Sequence, residues 1–196
     1  MRLTAMCLFF CGDHVEETSS SASDAPPAFE NQYLDRVIFL DVDGVLHAES
    51  GHSGFFLPEC MEHLREIMQQ SNADIVLSSS WRCTSGGIER VNQQLTSYGI
   101  KPIVNITPVS GYSTRGDEIL AFLRDHATIK HFAVLDDMDL TVAHGTRFAE
   151  HCLRVCKDAG LMAEDVVECS AILQRRIPPE GDPHWPKPRR TLETRS

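Results

Sequence analysis

Residues 37–46, VIFLDVDGVL, constrain this chain more than any other stretch. The apolar run 37–40 is β-branched at its start and too short for a helix, so it predicts a buried strand. The strand runs straight into two carboxylates, Asp41 and Asp43, and then Gly44. Ionised carboxylates are costly to bury, and two at one apolar strand end also repel each other. A chain keeps them there when a cation, a catalytic task or open water meets the strand. In open α/β sheets the carboxyl ends of the strands are also where ligands bind. An acidic turn closed by glycine is the plainer alternative, and the rest of the chain has to decide between the two.

Downstream, helical and strand patterns alternate. Residues 58–70 predict a helix, with Pro58 in its first turn and Met61, Leu64, Ile67 and Met68 at helical spacing. The strand 73–77 then ends in Ser78, Ser79, Ser80, Trp81 and Arg82. Hydroxyls and a guanidinium at a strand end suit a phosphate; a serine-rich turn capping the next helix is the alternative. Trp81 reads as a packing residue. A helix over 86–98 and a short strand over 100–106 follow, with Pro102 marking a strand start or sheet edge. Thr114 caps a further predicted helix, and Arg115 stands in its first turn, where the helix dipole disfavours a cation unless an anion faces it. The strand 131–135 ends in a second acidic cluster, Asp136, Asp137 and Asp139. A helix over 144–159 and another over 164–173 complete the pattern. Strand–helix alternation of this kind predicts a Rossmann-like, doubly wound parallel sheet with helices on both faces. If the two acidic clusters meet at one sheet edge, they need a divalent cation, and an all-oxygen ligand set suits Mg²⁺. His47 and His52 fall in a glycine-containing loop after the first strand, where they could assist chemistry or contact substrate; solvated loop histidines are the plainer reading.

Composition sets the limits. The 196 residues suffice for one α/β domain, placed over 32–176 between a serine-rich N-terminal arm (1–31) and a proline- and arginine-rich tail (177–196) expected to be disordered. A net charge of -10 argues against broad, sequence-independent nucleic-acid binding, although Arg82, Arg90 and the basic tail leave room for local contacts. The seven cysteines are scattered without CxxC spacing. Cys152 and Cys156, i and i+4 on the predicted helix, have no second ligand pair, which argues for reduced thiols and against zinc. The N-terminal apolar run is too short to cross a bilayer and lacks an A-x-A cleavage pattern, so a cytoplasmic protein without membrane association is expected.

Four stretches together resemble the motifs of the haloacid dehalogenase (HAD) superfamily of hydrolases over about residues 36–173. DVDGV is similar to the first motif, Ser78 after ADIVL to the second, Arg115 to the basic third, and Asp136-Asp137 to the acidic fourth. SSSWR and RGDEI further resemble the HAD domain of Swiss Army Knife RNA repair proteins. The resemblance implies that Asp41 is the nucleophile forming an aspartyl phosphate, and Asp43 the general acid and base. Ser78 or Ser79, with Arg115, would bind the phosphoryl oxygens. Asp41, the backbone carbonyl of Asp43, and Asp137 would ligate Mg²⁺, supported by Asp136. An acid at position 43 implies a phosphatase rather than a dehalogenase.

The intervals between these motifs hold only a loop and a helix, then a helix and a strand, so no sizeable cap domain is expected. An uncapped site suits a macromolecular phosphorylated substrate, either a phosphoprotein or a nucleic-acid end. The competing expectation is a catalytically silent phospho-binding or scaffold module. The sequence does not indicate the oligomeric state.

Overall fold

The computed structural model describes residues 29, 33–47, 56–109, 111–112, 114–140, 144–178 and 182–190. Apart from Phe29, the expected N-terminal arm lies outside the described residues, as does His52. The chain order is β1 (Arg36–Leu40), α1 (Pro58–Ser71), β2 (Asp74–Leu77), a 3₁₀ turn (Ser80–Cys83), α2 (Gly87–Ser97) and β3 (Asn105–Ile106), then α3 (Arg115–Asp125), β4 (His131–Asp136), α4 (Gly145–Ala149), β5 (Cys152–Arg154) and α5 (Ala163–Ile172). None of the helices among the described residues is long and apolar enough to cross a membrane.

The strands form one parallel sheet in the order β3-β2-β1-β4-β5. The central strand shows why its sequence is continuously apolar. Ile38 and Leu40 enter the core formed with α1, α2 and α5, whereas Val37 and Phe39 enter the core on the α3 and α4 side. A strand buried on both faces has no polar side to present. Phe39 meets Phe122 and Phe132 edge-on, with ring centroids 5.6 and 5.8 Å apart. This is the predicted doubly wound α/β fold, with no large cap among the described residues.

Chain direction across the sheet reverses at β1. From there the chain winds outward through β2 and β3, then returns to place β4 on the other side of β1. The backbone ladder continues past the strand ends: Asp41 N–H donates to the Leu135 carbonyl at 3.0 Å and Ser78 N–H to the Leu40 carbonyl at 2.8 Å. The residues that follow β1, β2 and β4 therefore emerge side by side at the reversal point, the usual ligand position in such sheets.

Two expectations need correction. The helix predicted over 144–159 is only the short α4, followed by β5, so Cys152 lies on a strand and Cys156 in the turn beyond it. Leu153 and Val155 are both buried two residues apart, a strand period, and β5 pairs with the otherwise open edge of β4, with Leu135 opposite Leu153. Tertiary pairing overrode a short pattern that fits either period. The proline-rich tail is not free over 182–190. Trp185 packs edge-on against Phe132 and His151, Asp182 pairs with Arg147 at 2.9 Å, and the Arg189 N–H donates to the buried Asp117 carboxylate at 2.7 Å. Too apolar-poor to make its own core, this segment borrows an aromatic face already formed by β4.

Candidate active site

Asp41 is the first residue beyond β1 and is buried. Its Oδ1 accepts the Val42 N–H at 2.8 Å, and its Oδ2 accepts from Nη1 of Arg115. The same Nη1 donates to Oδ2 of Asp136 at 2.9 Å. Arg115 is the first residue of α3, and the anions that make a cation tolerable there are thus Asp41 and Asp136. Burial works against its charge, but Asp136 and then Asp41 outweigh it and raise its pKa. Asp136 shows the opposite balance. Burial, reinforced by the charge of Asp41, pushes it up to about 6 against the pull of Arg115.

Local structure explains where Arg115 sits. The Thr114 hydroxyl caps α3 by accepting the Asp117 N–H at 3.2 Å and donates to the Asp117 carboxylate at 2.7 Å. The His144 ring lies over Gly116 so closely that a Cβ there would stand 2.4 Å from it. Asp117 itself has its pKa lowered. Its burial raises it, but the Arg189 N–H, the Thr114 hydroxyl and the Arg189 side chain prevail.

Carboxylate oxygens of Asp41, Asp136 and Asp137 come within 4.8 Å of one another, a grouping able to hold a metal ion. Gly44 makes this approach feasible. Its φ of +73° is a left-handed conformation, and a Cβ on it would lie 2.8 Å from Cγ of Asp137. The turn after β1 thus presses directly on the turn after β4.

Asp43 points elsewhere, and its side chain is not part of the carboxylate group. It is half-exposed, and Oδ1 accepts the indole N–H of Trp81 at 3.0 Å. Nε2 of His47 lies 2.8 Å from the same oxygen, and the Ser80 hydroxyl is 3.5 Å from Oδ2.

The serines divide their roles. Ser78 is buried at the end of β2, and its hydroxyl accepts from Thr107 at 3.4 Å. The Ser79 hydroxyl instead caps the 3₁₀ turn by accepting from Trp81 N–H. The Arg82 guanidinium, a possible phosphate partner from sequence, is committed to the fold. It donates to the Ser79 carbonyl and to Glu118 of α3, each at 2.6 Å.

Asp41, Arg115, Asp136 and Asp137, all singled out from sequence, therefore meet at the reversal point of the sheet. Asp43 stands beside them and Ser78 on the neighbouring strand end. Sequence reasoning took Trp81 for a packing residue alone, favoured a solvated loop for His47, and missed the steric role of Gly44. The spacing of His47, four residues after Asp43 within a turn, was the available signal for one of them.

This site lies within residues 37–166, which match the family model described as the HAD domain in Swiss Army Knife RNA repair proteins. No curated protein and no solved structure matches the chain significantly. The match covers well over half of the chain, including both acidic strand ends and the basic residue between them, and it places the chain in the HAD-like hydrolase superfamily. The chain belongs to the family of HAD domains found in Swiss Army Knife RNA repair proteins.

Proposed function

We propose that the protein is a Mg²⁺-dependent phosphatase that hydrolyses a phosphomonoester on a macromolecule through an aspartyl phosphate on Asp41. The observation that carries this reading is the convergence of Asp41, Asp136 and Asp137 on one another, with a single guanidinium, Arg115, bound to the first two. Three grouped carboxylates against the one charge of Arg115 leave an excess of two negative charges at the strand ends. Hard oxygen donors with that excess fit Mg²⁺, which takes few carboxylates and keeps waters and substrate phosphate as its other ligands. Asp41, Asp137 and the backbone carbonyl of Asp43 would hold it, with Asp136 in support. When bound it supplies positive charge to the phosphoryl oxygens.

The residues of the chain would divide the reaction as follows. An Asp41 carboxylate oxygen attacks phosphorus, and the bond from phosphorus to the leaving oxygen breaks as Asp43 gives that oxygen a proton. Water then attacks the aspartyl phosphate, its proton passes to Asp43, and the bond to Asp41 breaks to release inorganic phosphate. Arg115 and the Ser78 hydroxyl offset the charge gathering on the transferring oxygens. Of the two serines, Ser78 suits this role better, because the Ser79 hydroxyl is taken up by the 3₁₀ turn. The absence of a large cap over the described strand ends leaves room for a macromolecular phosphate. The family, by name a domain of RNA repair proteins, favours a nucleic-acid end over a phosphoprotein.

The test is release of phosphate from aryl phosphates, phosphopeptides and phosphate-ended oligonucleotides, with Mg²⁺ and with a chelator. Turnover that requires Mg²⁺ supports the proposal. Mg²⁺-dependent binding of a phosphorylated partner without turnover would replace it with a binding module.

Gly44→Ala offers a sharper check on the metal group. Alanine at this φ costs about 1–2 kcal/mol in backbone strain, and its methyl would displace Asp137. The expected outcome is a rise of about tenfold or more in the Mg²⁺ concentration for half-maximal activity, the scale of losses seen when metal-site support is disturbed. An unchanged Mg²⁺ titration would argue that Asp137 is not a ligand.

A further inference from the structure

We infer that Trp81 is a positioning residue for proton transfer: its indole N–H fixes one oxygen of Asp43 so that the other faces the leaving group. This rests on the phosphatase reading above and adds a residue to which that reading gives no role.

The geometry is one-sided. The indole N–H donates to Oδ1 of Asp43 at 3.0 Å, and the His47 imidazole stands 2.8 Å from the same oxygen without a hydrogen bond to it. An oxygen that already accepts the indole proton is poorly placed to carry the transferable one, which leaves Oδ2, near the Ser80 hydroxyl at 3.5 Å. The direction of the indole is set independently of Asp43. Phe56 packs edge-on at 5.6 Å, the Arg90 guanidinium lies 5.1 Å from the ring centroid, and the ring rests against the apolar core. The preceding turn is fixed by the Ser79 cap and by Arg82. Trp81 is thus held by packing and offers its N–H to a carboxylate that is half open to solvent. Water could satisfy such a carboxylate, so the bond adds little to stability. What it supplies is one rotamer in place of several, which is the requirement for a general acid within reach of its proton acceptor.

In the first step Asp43 Oδ2 gives its proton to the leaving oxygen as that oxygen's bond to phosphorus breaks and the Asp41–phosphorus bond forms. An alkoxide leaving group depends on that proton, whereas a nitrophenolate departs almost without it. A misplaced Asp43 therefore penalises the alkyl ester selectively, and kcat/KM reports this because it covers steps up to formation of the aspartyl phosphate. A purely structural defect would lower both substrates together.

Trp81→Phe keeps the ring and removes the N–H. In the full chain with Mg²⁺, we expect kcat/KM for glycerol phosphate to fall about tenfold and that for p-nitrophenyl phosphate to change less than about twofold, a fraction of what a positioned acid contributes. Equal losses on both substrates, with wild type active, would overturn the positioning role and leave the phosphatase intact. The bond is checked separately by ¹⁵N–¹H spectra. Trp81 and Trp185 are the only tryptophans, and Asp43→Ala should shift the Trp81 indole resonance while leaving Trp185 in place. An unmoved Trp81 resonance would overturn the inference at its structural root. A wild type inactive on every phosphate ester would overturn the phosphatase reading, and with it any catalytic role for Trp81, whatever the spectra show.

Discussion

Asp41→Asn is expected to lower phosphate release by roughly 10⁴-fold or more, the scale on which loss of a nucleophile acts, while the protein stays folded. An amide matches the carboxylate in shape but is far too weak a nucleophile to attack phosphorus. The fold should tolerate it for an electrostatic reason. Asp41 shares its partner Arg115 with Asp136, so removing the Asp41 charge leaves a matched Arg115–Asp136 pair and one less anion beside Asp137. The melting temperature is therefore expected to stay within about 3 °C of wild type, equivalent to no more than about 1 kcal/mol in a chain of this size. Phosphate release and thermal unfolding measured on the same preparation check both halves. Retained turnover would remove Asp41 from the chemistry. Loss of turnover with unfolding would show only that Asp41 is structural.

Arg115→Met should have the opposite profile, with a large loss of stability as well as of activity. Methionine keeps much of the side-chain volume but leaves Asp41 and Asp136, both buried, without their cation. Removing one partner of a buried ion pair costs about 3 kcal/mol or more because the remaining charge is uncompensated. That corresponds to a fall in melting temperature of roughly 6–12 °C. Added Mg²⁺ should recover more of this loss in the variant than it adds to wild type, since the carboxylates would then lack any other neutralising charge. Arg115→Lys should retain most of the stability but lose activity, because a point charge does not reproduce the planar geometry of the guanidinium. Differential scanning calorimetry with and without Mg²⁺ distinguishes these outcomes. A Met variant as stable as wild type would mean that the carboxylates accept protons instead of relying on Arg115.

What the sequence determined was whatever could be read within one short segment. The apolar run 37–40 identified a strand buried on both faces, because no polar period interrupts it, and β1 is that strand. The acidic strand ends, and the cation in an otherwise unfavourable helix position, were legible because each violates a local rule: carboxylates follow buried residues, and a guanidinium opposes a helix dipole. Such violations mark sites, since only tertiary contacts can make them tolerable. Residues 144–159 failed for the complementary reason. Their apolar positions fit either period, and only the open edge of β4 made Cys152–Arg154 a strand. The tail likewise has no local signal for docking; the aromatic face that receives Trp185 comes from β4 and His151. The tertiary structure alone brought Gly44 against Asp137, gave Arg82 to Glu118 rather than to a substrate, and aimed Trp81 at Asp43. Each of these joins residues far apart in the chain, and periodicity and propensity carry no information about which strand ends will lie side by side.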